Sequence, residues 1–95
     1  MSQYFTPHSL TDDTVKYQTI STNNTSVLSN AITGRRIMIT TGNQATYIEF
    51  GTNPSAGVTK YVVPANCQMI FNFKTGNKVA VFTATQSYTS ILDLD

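Results

Sequence analysis

Charge, cysteine and histidine are scarce in this chain, and each scarcity removes a class of function. Only 12% of the residues are charged and the formal net charge is +1, where an average globular domain carries about 25% charged residues. No field of one sign is available to draw in a nucleic acid or an anionic membrane, so neither is an expected partner. Arg35-Arg36 is the one adjacent basic pair, and neighbours on a strand point to opposite faces, so the two do not make one patch. Cys67 stands alone, which excludes an intramolecular disulfide and a cysteine-built zinc site and fits folding in a reducing cytoplasm. No apolar run approaches the roughly 20 residues that span a bilayer. The opening MSQYFTPHSL has neither a basic start nor an apolar block, so no secretory signal is expected there.

Catalytic signatures are equally thin. There is no G-x-S-x-G elbow, phosphate-binding loop or dinucleotide fingerprint. The lone His8 lies beside Pro7 with few carboxylates to form a triad or metal site, and is read as a solvated side chain. Asp12-Asp13 reads as a turn, and Asp93 with Asp95 as a charged C-terminus blunting an edge strand. Cys67 shares its alternation phase with Met69 and Phe71 and has no adjacent base, the pattern of a small buried hydrophobe and not of a nucleophile. The expectation is a protein that is not an enzyme and needs no metal or cofactor.

What the chain does have is β-forming material. Its 95 residues are enough for one domain, 40% of them are hydrophobic, and sixteen are threonines, a residue at ease in strands and poor in helices. Between Arg35 and Gly51, Ile37 and Ile39 alternate with other residues, Thr41-Gly42-Asn43-Gln44 interrupts, and Ile48 and Phe50 resume the period. That pattern predicts a β-hairpin with a Gly-Asn turn and all four apolar residues on one face. Further strands are predicted over 15–20, near 25–29, and over 60–63, 67–74, 79–83 and 88–94, with a second Gly-Asn turn at 75–78. Seven or eight short strands with regular turns and no helix predict an all-β, antiparallel two-sheet β-sandwich, jelly-roll-like or immunoglobulin-like, with a small barrel as the alternative. Residues 1–13 read as an extended N-terminal arm and 14–95 as the single sandwich domain.

Candidate contact residues follow from this pattern. Tyr4, Phe5 and Leu10 in the arm are apolar without any period and are expected to dock on the domain itself, on a neighbouring subunit or on a larger surface. Tyr47 and Glu49 fall on the opposite phase from Ile48 and Phe50, so both are expected to face outward as interface residues. Tyr47, Tyr61 and Tyr88 could also stack on sugars, although cross-strand packing explains them more simply.

Residues 35 to 94 also resemble a known kind of protein. The matching pattern is a basic residue, an apolar strand and a Gly-Asn turn, then ATYIEFGTNPSAGVTKYVVPANCQMIFNF, then KVAVFTATQSYTSILDL. In this order of strands and turns the chain is similar to the decoration, or cement, proteins of tailed bacteriophages. The resemblance implies a β-sandwich virion protein that binds the outside of a mature capsid, has the major capsid protein as partner and associates with itself, most often as a homotrimer. The competing expectations are a carbohydrate- or receptor-binding module on a head or tail fibre, and a non-viral β-domain of similar architecture.

Overall fold

A computed structural model describes residues 17–94. The predicted arm, with Tyr4, Phe5, His8 and Leu10, lies outside the described residues, as do Asp12, Asp13 and Asp95. Eight strands follow one another: β1 (Tyr17–Thr22), β2 (Val27–Leu28), β3 (Arg36–Thr41), β4 (Thr46–Gly51), β5 (Tyr61–Val63), β6 (Gln68–Asn72), β7 (Lys78–Phe82) and β8 (Ser87–Asp93). They form two four-stranded sheets of order β1-β8-β3-β6 and β2-β7-β4-β5, and every pairing is antiparallel. The all-β sandwich expected from the alternation is therefore present, and the two open sheets replace the barrel alternative.

The pairing has a simple logic. β1 pairs with β8, β2 with β7, β3 with β6 and β4 with β5, so the chain is one long antiparallel ribbon folded at the β4–β5 connection. Rolling that ribbon adds the β3–β8 and β4–β7 pairings and distributes its segments between the sheets. Eight antiparallel strands interleaved in this way make a jelly roll.

This topology corrects the hairpin expected over 35–51. β3 and β4 do not pair; they lie in opposite sheets. Ile37, Ile39 and Ile48 are buried and Phe50 packs against them, but they meet across the interior and not side by side. A period of two identifies the residues that face the core, and strands in facing sheets satisfy it as well as paired strands do. A tight Gly-Asn hairpin turn needs positive φ, and Gly42 does not have it; among the described residues positive φ occurs at Asn24, Asn66 and Gly76. Gly42 is needed for space: a Cβ there would lie 2.8 Å from Ser87 Oγ and 3.0 Å from the Tyr88 carbonyl oxygen. The second Gly-Asn turn does use its glycine, at φ 91°, with Asn77 N–H donating to the Lys74 carbonyl at 3.1 Å. It too carries the chain from one sheet to the other.

The core is Ile20, Ile32, Ile37, Ile39, Ile48, Val63, Phe73, Val79, Val81 and Ile91, with Val27, Phe50, Cys67, Met69 and Phe71 packed on it. Cys67, expected to be buried, is only partly buried and packs against the core from just before β6. Toward one end the interior turns polar: Thr22, Thr41, Thr46, Thr83, Ser87 and Thr89 are all buried. The Thr22 and Thr83 hydroxyls bond each other, and Thr83 donates to the Thr85 carbonyl at 2.8 Å. Asp93 corrects another expectation. Its strand β8 is central and not an edge, and its carboxylate is 5% exposed and accepts a hydrogen bond from Gly34 N–H.

Candidate interaction surface

Because side chains alternate along each strand, the register determines which outward-facing residues become neighbours. In the β1-β8-β3-β6 sheet, Tyr17 is opposite Leu92, Leu92 opposite Met38, and Met38 opposite Ile70. One apolar row therefore crosses all four strands on the solvent side. Its ends are the most open, Tyr17 at 43% and Ile70 at 61% exposure, while Met38 and Leu92 are half-buried between them. The row on one side of it, Thr19, Ser90, Thr40 and Gln68, is wholly polar and uncharged, while the row on the other side includes Arg36 and Asn72. Tyr17 ties the two together: its hydroxyl lies 3.2 Å from Ser90 Oγ and accepts from Thr19 Oγ1 at 3.3 Å. The bond with Ser90, and secondarily that with Thr19, lowers the phenol's pKa from its ordinary value.

The outer face of the other sheet carries the predicted Tyr47 and Glu49. Both project away from the core, as their phase implied, between the buried Thr46 and Ile48. Tyr47 lies opposite Val62 and Phe82, and its ring meets Phe82 at 6.2 Å between centroids. Glu49 is 3.9 Å from Lys60 Nζ, with both side chains about two-fifths exposed, an ion pair contributing on the order of 0–1 kcal/mol. The structure does not bring Tyr47 or Glu49 onto the apolar row; they occupy the opposite side of the sandwich.

A third feature lies on the flank where β5 and β6 end their sheets. Ile48, Glu49, Phe50, Tyr61 and Phe71 line an open cleft of about 330 Å³. Edge-to-face contacts hold its aromatic rings, Phe50–Phe71 at 5.5 Å and Tyr61–Phe71 at 5.9 Å between centroids. Tyr61 remains 53% exposed. Among the described residues no group of three or more His, Cys, Asp or Glu side chains could hold a metal ion, and no helix is long and apolar enough to cross a membrane.

The apolar row was not anticipated from the chain. Its signal is an apolar residue on the outward phase of each strand, Met38 between Ile37 and Ile39 and Ile70 between Met69 and Phe71, with Tyr88 and Leu92 sharing the outward face of β8. Only the register turns these separate positions into a surface. Comparison of the chain with protein-family models, with curated proteins and with solved structures found no match.

Proposed function

We propose that this chain is a non-enzymatic structural protein that binds the outer surface of a tailed-bacteriophage capsid and stabilises it by bridging capsomers. The observation that supports this reading best is the row Tyr17–Leu92–Met38–Ile70: an apolar line with no charge in it, flanked on one side by the uncharged row of Thr19, Ser90, Thr40 and Gln68 and on the other by Arg36 and Asn72. A surface of this kind suits contact with another protein. The chemistry is linkage: a subunit that binds the assembled shell and not its separated parts stabilises the shell by RT ln(1 + [L]/Kd) per site, and many copies multiply the effect.

The test is to mix the chain with assembled tailed-phage heads and follow co-sedimentation. Met38→Lys places a charge in the middle of the row while leaving both sheets intact, and is expected to reduce occupancy at least tenfold. Tyr47→Ala on the opposite face is expected to leave it unchanged. Wild-type protein that stays in the supernatant at concentrations saturating for known cement proteins refutes the reading.

The aromatic cleft beside Tyr61 favours one alternative, a carbohydrate-binding module of a virion fibre, because an exposed ring over an apolar floor suits the face of a sugar. Glycan-array binding lost in Tyr61→Ala supports that alternative against the first.

A further inference from the structure

We propose that two copies of this chain pair edge to edge through β6, antiparallel about a twofold axis at Ile70, to make one continuous eight-stranded sheet. The proposal stands independently of the capsid reading.

It starts from the hydrogen-bond parity of β6. Thr41 N–H donates to the Cys67 carbonyl at 2.9 Å and Phe73 N–H to the Arg35 carbonyl at 2.8 Å. Both bonds obey the β3–β6 register, so the backbone groups of 67, 69, 71 and 73 point toward β3. In an antiparallel ladder the alternate residues point the other way. Gln68, Ile70 and Asn72 therefore present their N–H and C=O groups along the outer edge of the sheet, where β6 is the terminal strand.

Among the described residues that edge has none of the usual protection. Sheet edges are normally blunted by charge, proline, a bulge, shortness or a covering segment. Here β2 has two residues, β5 has three and is followed by Pro64, and β1 is tied to the 30 region by Gln18, whose Oε1 accepts from Asn30 N–H at 3.0 Å. β6 is five residues long, reads QMIFN, and contains neither charge nor proline.

The same strand is complementary to itself. A twofold axis at Ile70 sets Ile70 opposite Ile70 of the second copy and Gln68 opposite Asn72, so each of Gln68, Ile70 and Asn72 donates and accepts one backbone hydrogen bond. The outward side chains then match apolar with apolar and amide with amide. Along the strand the nearest charge, Lys74, comes opposite Asn66 and not opposite another cation, and Arg36, beside Asn72 on β3, lies one strand in from the seam. On the inner side Met69 faces Phe71 of the second copy, a thioether against a ring. The apolar row runs on unbroken from one copy into the next, and the 61% exposure of Ile70 is removed. The aromatic cleft opens on this same flank, lined in part by Phe71, and the second copy lies beside its mouth.

Light scattering on the full-length chain after size exclusion tests the pairing. The expected mass is twice the 10.4 kDa of the monomer. Ile70→Pro removes an N–H that β3 does not use and so is expected to halve the mass while the circular dichroism of the folded sheet persists. In a Cys67→Ser background, Ile70→Cys is expected to form a disulfide-linked dimer under mild oxidation, which reads the contact without requiring the proline variant to fold. A monomeric wild type overturns the proposal. So does a trimer, because a contact related by a twofold does not close a threefold ring, and so does a dimer whose mass Ile70→Pro leaves unchanged while Ile70→Cys fails to cross-link.

Discussion

Gly34 and Asp93 are in contact so intimate that a single carbon atom does not fit between them: Gly34 N–H donates to Asp93 Oδ2 at 3.0 Å, and a Cβ on Gly34 would lie 1.7 Å from Asp93 Oδ1. Gly34→Ala must displace a carboxylate that is 5% exposed, and moving a buried charged acceptor off its donor costs on the order of 2–3 kcal/mol. The expected result is a melting temperature lower by roughly 10 °C or more for a domain of this size, measured by scanning calorimetry.

The glycines also separate by what surrounds them. Gly42→Ala drives a methyl group against Ser87 Oγ and the Tyr88 backbone, and nothing lies within 4 Å of a Cβ on Gly57, whose φ is not positive. Gly42→Ala is expected to destabilise by about 1–3 kcal/mol through overpacking, while Gly57→Ala is expected to be neutral or to stabilise by up to about 1 kcal/mol through the unfolded chain. Urea denaturation of the two variants side by side checks the difference in sign.

The hydroxyls at the polar end of the core divide in the same way. Thr83 gives its proton to the Thr85 carbonyl, so Thr22 must be the donor in the Thr22–Thr83 pair. Thr83→Val strands both the Thr22 proton and the Thr85 carbonyl and is expected to cost about 1–3 kcal/mol. Among the described residues Thr89 Oγ1 is buried with no hydrogen-bond partner. Thr89→Val keeps the shape and removes an unpaired polar atom, and is expected to raise stability by on the order of 1 kcal/mol. A fall in stability equal to that of Thr83→Val would show that the Thr89 hydroxyl is bonded after all.

Tyr17 offers a spectroscopic handle on the apolar row. Its phenol ionises below the ordinary tyrosine range because Ser90, and less strongly Thr19, hydrogen-bond the phenolate. Ser90→Ala removes the larger cause and is expected to shift the Tyr17 titration upward, toward the ordinary value, when followed by ring proton resonances against pH. An unchanged titration would mean that the Ser90 contact does not persist in solution.

Much of the fold was legible in the chain because the governing signals are local. The period of two in IMI, YIEF and CQMIFNF marks which side chains face the interior, and β-branched threonine favours extended backbone, so the strands, their inward residues and the outward phase of Tyr47 and Glu49 could be read residue by residue. Pairing is not local. Whether β3 bonds to β4 or to β6 and β8 changes no side-chain phase, so the hairpin over 35–51 and the sandwich crossing that replaces it are equivalent at the level of sequence pattern. Gly42 illustrates the loss: a turn glycine and a glycine making room for a distant strand are the same letter, and only the approach of Ser87 and Tyr88 distinguishes them. Asp93 likewise read as an edge charge until β8 proved central.

By itself the sequence determined that this would be an antiparallel β protein of low charge with a thin, Ile- and Val-rich core, because composition and alternation act through each residue's own backbone and burial preferences. The tertiary structure alone decided which strands are neighbours, and so assembled Tyr17, Met38, Ile70 and Leu92, far apart in the chain, into one apolar row and placed β6 at the end of its sheet. Register is set by contacts among strands distant in sequence, and a surface that exists only through register cannot be seen until those contacts form.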